Sequence, residues 1–121
     1  MRTTTERLPG LTLTSITVDV PLDHANPGAG IIEVFARVVT GEGGEAKPYM
    51  VFLQGGPGNE APRPSLNPDN PGWLRRALED YRVVMLDQRG TGRSTPFGPA
   101  SVPSTSTETA EYLTHFRADE I

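Results

Sequence analysis

Residues 11–22 alternate imperfectly between apolar and polar side chains, with Leu11, Leu13, Ile16, Val18 and Val20 set against Thr12, Thr14, Thr17 and Asp19. β-Branched residues occur throughout, the pattern of a half-buried strand, and Pro21 closes it. Asp23-His24-Ala25-Asn26-Pro27-Gly28 is turn chemistry, after which Ile32, Val34, Ala36 and Val38 alternate with Glu33, Phe35, Arg37 and Val39 in a second strand over residues 31–40. The two are predicted to form an antiparallel hairpin. A flexible link, Gly41-Glu42-Gly43-Gly44-Glu45, leads to a third strand over residues 49–53, apolar on both faces as interior parallel strands are.

That third strand runs without a break into Gln54-Gly55-Gly56-Pro57-Gly58. An apolar run ended by glycines and a proline turns sharply and leaves bare backbone at its end. A substrate atom can approach the N–H groups of Gly55 and Gly56 closely there, and fixed N–H donors stabilise the oxyanion of an acyl transfer. A plain strand-ending turn has the same composition.

Residues 59–70 form a loop in which Pro62, Pro64 and Pro68, with Pro71 just beyond, forbid continuous helix. Asn70 before Pro71 reads as an N-cap followed by proline at the first helical position, with Trp73, Leu74, Ala77 and Leu78 on one face and Arg75, Arg76 and Glu79 opposite. This helix is expected to pack on the sheet. A fourth strand, residues 81–86, ends on Asp87-Gln88-Arg89-Gly90-Thr91-Gly92-Arg93-Ser94, so strand, helix and strand make a parallel βαβ unit. After a Pro/Ser/Thr loop over residues 97–106, the capping box Thr105-x-x-Glu108 opens a last helix carrying Tyr112, Leu113 and Phe116. No stop signal follows, so this helix is expected to continue to Ile121 and to be cut there. There is no internal repeat and no domain boundary within the chain.

Composition narrows the chemistry. Glycine (13) and proline (12) together make about a fifth of the 121 residues, loop-rich but below the level that marks disorder. A net charge of -4 with no basic run argues against nucleic acid and acidic membrane surfaces as partners. Cysteine is absent and only His24 and His115 offer imidazole, so neither a metal nor a cofactor is expected. The first seven residues lack the apolar segment of a secretory signal and no stretch has the length of a membrane span, which leads to a cytoplasmic expectation.

Gly90-Thr91-Gly92 after a strand invites a nucleotide-binding reading, but neither a dinucleotide fingerprint nor a P-loop completes. The better reading of the segment is a strand-end turn in which Asp87 accepts loop N–H bonds and Arg89 supplies a fixed guanidinium. His24 and His115 have no companions at ligand spacing and read as solvated or locally bonded. Ser94, Ser101, Ser104 and Ser106 lack the G-x-S-x-G setting of an exposed nucleophile, and no complete catalytic constellation is present.

The hairpin, the segment Val51-Phe52-Leu53-Gln54-Gly55-Gly56-Pro57-Gly58 and the later Asp87-Gln88-Arg89-Gly90-Thr91-Gly92-Arg93-Ser94 together resemble the N-terminal portion of prolyl aminopeptidases (proline iminopeptidases) of the α/β-hydrolase fold. The resemblance runs from about residue 18 to the end, and the pairing of the two turns is specific to that group and its tripeptidyl relatives. It implies an α/β fold, an antiparallel hairpin followed by parallel βαβ strands, in which residues 1–121 are one segment of a single domain lying before the nucleophile elbow and cap. It implies a serine peptidase that releases an N-terminal residue, with proline favoured, from peptides with a free N-terminus. A tripeptidyl aminopeptidase, an esterase or a non-catalytic α/β domain are the alternatives.

By the same resemblance Gly56 lends a backbone N–H to the oxyanion hole, beside Gly55, while Pro57, Gly58, Asp87, Arg89 and Gly90 shape the turns. The family's usual residue before the glycines is His, whereas Gln54 stands here, so a bond specific to imidazole is in doubt. Gln54 and Glu60 are the substrate-side candidates, and Glu60 is the nearby carboxylate able to face a substrate ammonium; a solvated loop acid is the competing reading. The Ser-Asp-His triad lies beyond this chain, which is therefore expected to be inactive alone. In the resembled fold a later strand flanks the third one, so an isolated segment exposes that edge and is expected to be stable only where the edge is covered, by self-association or by the remaining part of the enzyme.

Overall fold

The computed structural model describes residues 1–55, 58–65, 71–98 and 103–117. Five strands form one mixed sheet: β1 (Arg2–Leu8), β2 (Leu11–Pro21), β3 (Ile31–Gly41), β4 (Tyr49–Leu53) and β5 (Arg82–Leu86), in the order β1-β2-β3-β5-β4. The predicted hairpin is β2 with β3, antiparallel and in continuous register from Leu11↔Gly41 to Pro21↔Ile31. β5 joins β3 antiparallel, pairing Ala36↔Leu86 to Val39↔Val83, and β4 lies parallel to β5 from Tyr49↔Arg82 to Leu53↔Leu86. A strand that pairs with a parallel neighbour must cross over, and α1 (Leu74–Asp80) makes that crossing between β4 and β5.

β1 is an element the sequence pattern did not yield. It pairs antiparallel with β2 from Arg2↔Thr17 to Leu8↔Leu11 across the two-residue turn Pro9-Gly10. Every residue from Arg2 to Arg7 is exposed, so no apolar period betrays the strand. The threonines Thr3, Thr4 and Thr5 and the Pro-Gly turn were the available signals.

One face of the sheet holds the core: Leu13, Val39, Val83 and Met85 are buried together with Ala61 and Leu74, and Met50, Phe52, Trp73, Ala77 and Leu78 pack against them. The helical face assigned from periodicity is thus the one that meets the sheet, with the Phe52 and Trp73 rings stacked at 4.6 Å. The helix starts later than expected. Pro71–Trp73 is a turn in which Leu74 N–H donates to the Pro71 carbonyl, three residues back, and the α-helical ladder opens with Ala77 N–H on the Trp73 carbonyl. Asn70, the expected cap, lies outside the described residues.

The last helix also ends where no stop signal stands. α2 (Ser106–Leu113) begins as predicted, with Thr105 accepting from Glu108 N–H, but tightens into a 3-10 turn at Thr114–Phe116, and Arg117 is extended. Thr114 Oγ1 donates to the Glu111 carbonyl at 2.6 Å, and the turn is held from outside by Arg89 on the His115 carbonyl. Tertiary anchoring closes the helix, which is therefore not continuous to the final residue.

β4 differs from the interior strand its composition suggests. Its neighbour on one side is β5, and among the described residues nothing pairs with the other side. Met50 and Phe52 face the core, while Tyr49, Val51 and Leu53 on the opposite face are 57%, 58% and 46% exposed.

Candidate active site

β4 and β5 are parallel neighbours, so their C-terminal ends open side by side and the turns that follow them meet. The turn after β5 is densely bonded. Asp87 is buried and its carboxylate accepts from Ala61 N–H at 2.9 Å and from Arg93 N–H at 3.0 Å. Gly92, at φ 51°, packs against that carboxylate: a Cβ there would overlap Asp87 Oδ2 and stand 2.7 Å from Glu60 Cβ. Gly90, at φ 84°, leaves room for Phe116, whose Cδ1 would lie 2.8 Å from an added Cβ.

Side-chain hydroxyls sew this turn onto β3 where β5 has already ended. Beyond the Ala36↔Leu86 pair, Asp87 N–H donates to the Phe35 carbonyl at 3.0 Å, and Ser94 Oγ accepts from Phe35 N–H at 2.8 Å while donating to the Asp87 carbonyl at 2.5 Å. Thr95 Oγ1 accepts from Glu33 N–H and donates to the Glu33 carbonyl, both at 3.0 Å. Two hydroxyls thus do for the β3 backbone what a further stretch of strand would do. Ser94 is fully buried and its oxygen is engaged, a structural serine.

Arg89 is the tie between segments. It is buried, and its guanidinium donates to the carbonyls of Leu22 (2.7 Å), His115 (3.0 Å) and Pro21 (3.3 Å). Its Nη2 also lies 3.1 Å from His24 Nε2. A guanidinium only donates, so His24 accepts through Nε2 and carries its proton on Nδ1. Arg89 thus ties His24 by its ring and His115 by its backbone carbonyl. A buried carboxylate, Asp87, at the centre of the glycine turn also makes the segment a poor cradle for phosphate.

The turn after β4 is sparer. Gly55 is exposed, with nothing within 4 Å of the place a Cβ would take, and Gly58 stands at φ 110°. Gly56 and Pro57 lie outside the described residues, so the expected donor itself is not described. Gln54 is partly buried, and its backbone carbonyl accepts from Gln88 Nε2 at 3.0 Å. This bond spans the two turns. A cleft of about 260 Å³ lies between them, with Gln54, Gly58, Gln88, Gly90, Phe97 and Phe116 among its walls. Phe97 and Phe116 stand in its wall, and Tyr112 contacts both rings, with centroid separations of 6.1 Å and 4.9 Å.

Glu60 is not in the wall of this cleft. Its carboxylate takes a bond from Arg63 Nη2 at 2.6 Å, both side chains about half exposed, and the donation from Arg63 lowers the Glu60 pKa below its ordinary value. The bridging residue that no sequence pattern marks is Gln88, because a side chain reaching a backbone carbonyl 34 residues away leaves no local spacing. Among the described residues no three His, Asp or Glu side chains are grouped to hold a metal ion, and no helix is long and apolar enough to cross a membrane.

With the paired turns and cleft described, comparison with known proteins bears on the class. No protein-family model matches the chain. The chain is 45% identical over 106 residues to a proline iminopeptidase of Aeromonas sobria, a match covering 84% of this chain and 24% of that protein. It is 38% identical over 109 residues to the proline iminopeptidase aneH of Aspergillus aculeatus, covering 85% of this chain and 23% of that protein. These are peptidases by name, and the chain is their homologue. Over most of its length it is similar to proline iminopeptidases, the family its paired turns resemble, and it spans about a quarter of the length of each.

Proposed function

We propose that this chain is the oxyanion-loop segment of a cytoplasmic serine peptidase of the α/β-hydrolase fold, which removes an N-terminal residue, proline foremost, from peptides. The observation that carries the reading is the junction of the two strand-end turns: the glycine turn after β4 is bare at Gly55 and is tied through Gln54 to the rigid turn after β5, with a cleft between them. The homology to proline iminopeptidases and the antiparallel-then-parallel order of the sheet support it.

In this reading a serine from a later part of the polypeptide attacks the carbonyl of the first residue, and the negative charge that gathers on the carbonyl oxygen is met by the Gly56 N–H. Fixed donors stabilise that charge because they need not reorganise as it forms. Gly55 and Gly58 admit the substrate by presenting no side chain. The cleft is smaller than the pockets that take drug-sized ligands, and the Phe97, Leu113 and Phe116 side chains in its wall suit one compact apolar residue such as proline. Asp87, Arg89 and Gly90 act as framework, and the Glu60 carboxylate, paired with Arg63, is left with a surface role. Without the triad the chain alone has no peptidase activity.

The test is hydrolysis of proline 2-naphthylamide by a longer polypeptide carrying this chain, in the presence of a chelator. Turnover that falls on the order of 100- to 1,000-fold in the Gly56→Val variant, with the fold intact, is the expected result. Chelator-sensitive activity, activity confined to blocked esters, or wild-type turnover by Gly56→Val would overturn it.

A further inference from the structure

We infer that Gln88 is a positioning residue, whose side-chain amide fixes the plane of the Gln54–Gly55 peptide and so aims the first N–H of the glycine turn. The peptide unit is planar and trans, so its C=O and N–H point in opposite directions. Gln88 Nε2 donates to the Gln54 carbonyl at 3.0 Å. That bond therefore turns the Gly55 N–H away from Gln88 and sets the direction in which the chain leaves for the residues that follow.

Two features make the bond a fixed strut. The Gln88 backbone is itself clamped, its carbonyl accepting from Thr91 N–H at 3.0 Å and from Thr91 Oγ1 at 2.7 Å, inside the turn that Asp87 and Ser94 hold to the sheet. Gly55, by contrast, has no side chain, and among the described residues nothing lies within 4 Å of the place a Cβ would take. The rigid turn meets the loop after β4 through two described side-chain bonds, Gln88 on the Gln54 carbonyl at its start and Asp87 on the Ala61 N–H further on. Both Gln54 and Gln88 also line the cleft, which puts the strut beside the space where a substrate carbonyl would sit. The consequence for catalysis rests on the peptidase reading above; the orientation of the peptide does not.

The experiment uses isotope-labelled chain with wild-type sequence, Gln88→Met and Gln88→Glu. Methionine keeps the length of the side chain and removes the donor. A carboxylate cannot donate, but its protonated form can. The Gln54 carbonyl and Gly55 amide resonances are expected to move in Gln88→Met while those of Val83 and Met85 stay in place, showing an intact sheet. In Gln88→Glu the Gly55 resonance is displaced at neutral pH and returns toward its wild-type position on acidification, as the introduced carboxyl is protonated and can donate. A Gly55 resonance unmoved in both variants, or moved in Gln88→Glu with no return on acidification, would overturn the inference.

A kinetic arm links the strut to the reaction. In the longer polypeptide Gln88→Met is expected to lower kcat for proline 2-naphthylamide roughly 10- to 100-fold with KM nearly unchanged, the effect of a misplaced donor. Loss confined to KM would overturn the positioning role. Wild-type protein with no turnover of N-terminal proline substrates would sink the peptidase reading alone, and the resonances would still decide the orientation.

Discussion

Two strands lie side by side in parallel and end in glycine-rich turns, yet the turns are built in opposite ways. After β5, Asp87, Arg89, Thr91 and Ser94 are all buried, and each polar side chain is spent on backbone groups, Asp87, Arg89 and Ser94 reaching other segments and Thr91 closing the turn itself. After β4, Gly55, Gly58, Asn59 and Glu60 are exposed, and the bond from Gln88 is what joins the start of the turn to the rest of the sheet. The difference separates two tasks. One turn is held by its own buried side chains, and the start of the other is tied to it through the Gln88 amide.

The sharpest way to break this contrast is to attack the centre of the rigid turn. Asp87→Ala strands the buried N–H of Ala61 and the part-buried N–H of Arg93 with no acceptor; an unsatisfied buried donor costs on the order of 1–3 kcal/mol and one that water can reach costs less, so a loss of about 2–3 kcal/mol is expected in denaturant melts. Gly92→Ala should approach the same value, because its Cβ overlaps the Asp87 carboxylate and its φ is positive. In the other turn, Gly55→Ala should change stability by less than about 0.5 kcal/mol, as surface substitutions do. Equal losses in the two turns would end the distinction between frame and open backbone.

Ser94→Ala is a finer probe of the same frame. The Ser94 hydroxyl closes the Phe35 N–H and the Asp87 carbonyl where β5 no longer reaches β3. Its removal should cost about 1–3 kcal/mol by denaturant midpoint and raise amide exchange at Phe35 before exchange rises at Val39, which keeps its β5 partner. Uniform exchange along β3 would show that the hydroxyl is not sewing this end of the strand.

The two turns were not equally legible. β2, β3, β4 and β5 were read from alternation and apolar runs, since each buries at least part of one face and the burial leaves a period. β1 escaped because its exposed residues carry no period, and the end of α2 escaped because Arg89 and Phe116 stop it from outside the helix. At the site, the glycines and Asp87 stood out by type, but the partners of Asp87, Ser94 and Gln88 are 26 to 59 residues distant in the chain. Tertiary hydrogen bonds of that span have no local spacing to read. The pairing of the turns was legible only as a resemblance.

The strands beneath the turns carry the contrast further. β5 has a neighbour on each side, whereas among the described residues β4 has one, and Tyr49, Val51 and Leu53 present an apolar exposed row beside that edge. Such an edge recruits another strand unless it is charged or covered. The chain by itself is therefore expected to run larger than a monomer in size-exclusion chromatography, and Val51→Lys should shift it toward the monomer without lowering the stability of the β3–β5 ladder. A wild-type chain that is strictly monomeric, with β4 amides protected from exchange, would show that the edge is already satisfied.

The smallest expected effect distinguishes an exposed ion pair from a buried carboxylate. Glu60 closes the glycine turn and takes a hydrogen bond from Arg63, which lowers its pKa, whereas Asp87 a short distance away is enclosed by backbone donors. A carboxyl whose folded pKa is depressed adds stability above its unfolded value, and that stability is lost as the pH falls through the folded pKa. For Glu60 the window lies below the ordinary glutamate range, and the loss is slight because both partners are about half exposed and screened by water and salt. Carboxyl-carbon titration by NMR should place Glu60 below a typical glutamate, with Arg63→Gln moving it back up and high salt doing so in part. The same variant should leave Gly55 and Gln54 resonances where they are, since the pair sits outside the cleft and the orientation of the glycine turn runs through Gln88. If Glu60 instead titrates at the ordinary value, or if Arg63→Gln displaces the Gly55 signal, the carboxylate is free to face the cleft and the spare turn has a second, charged support.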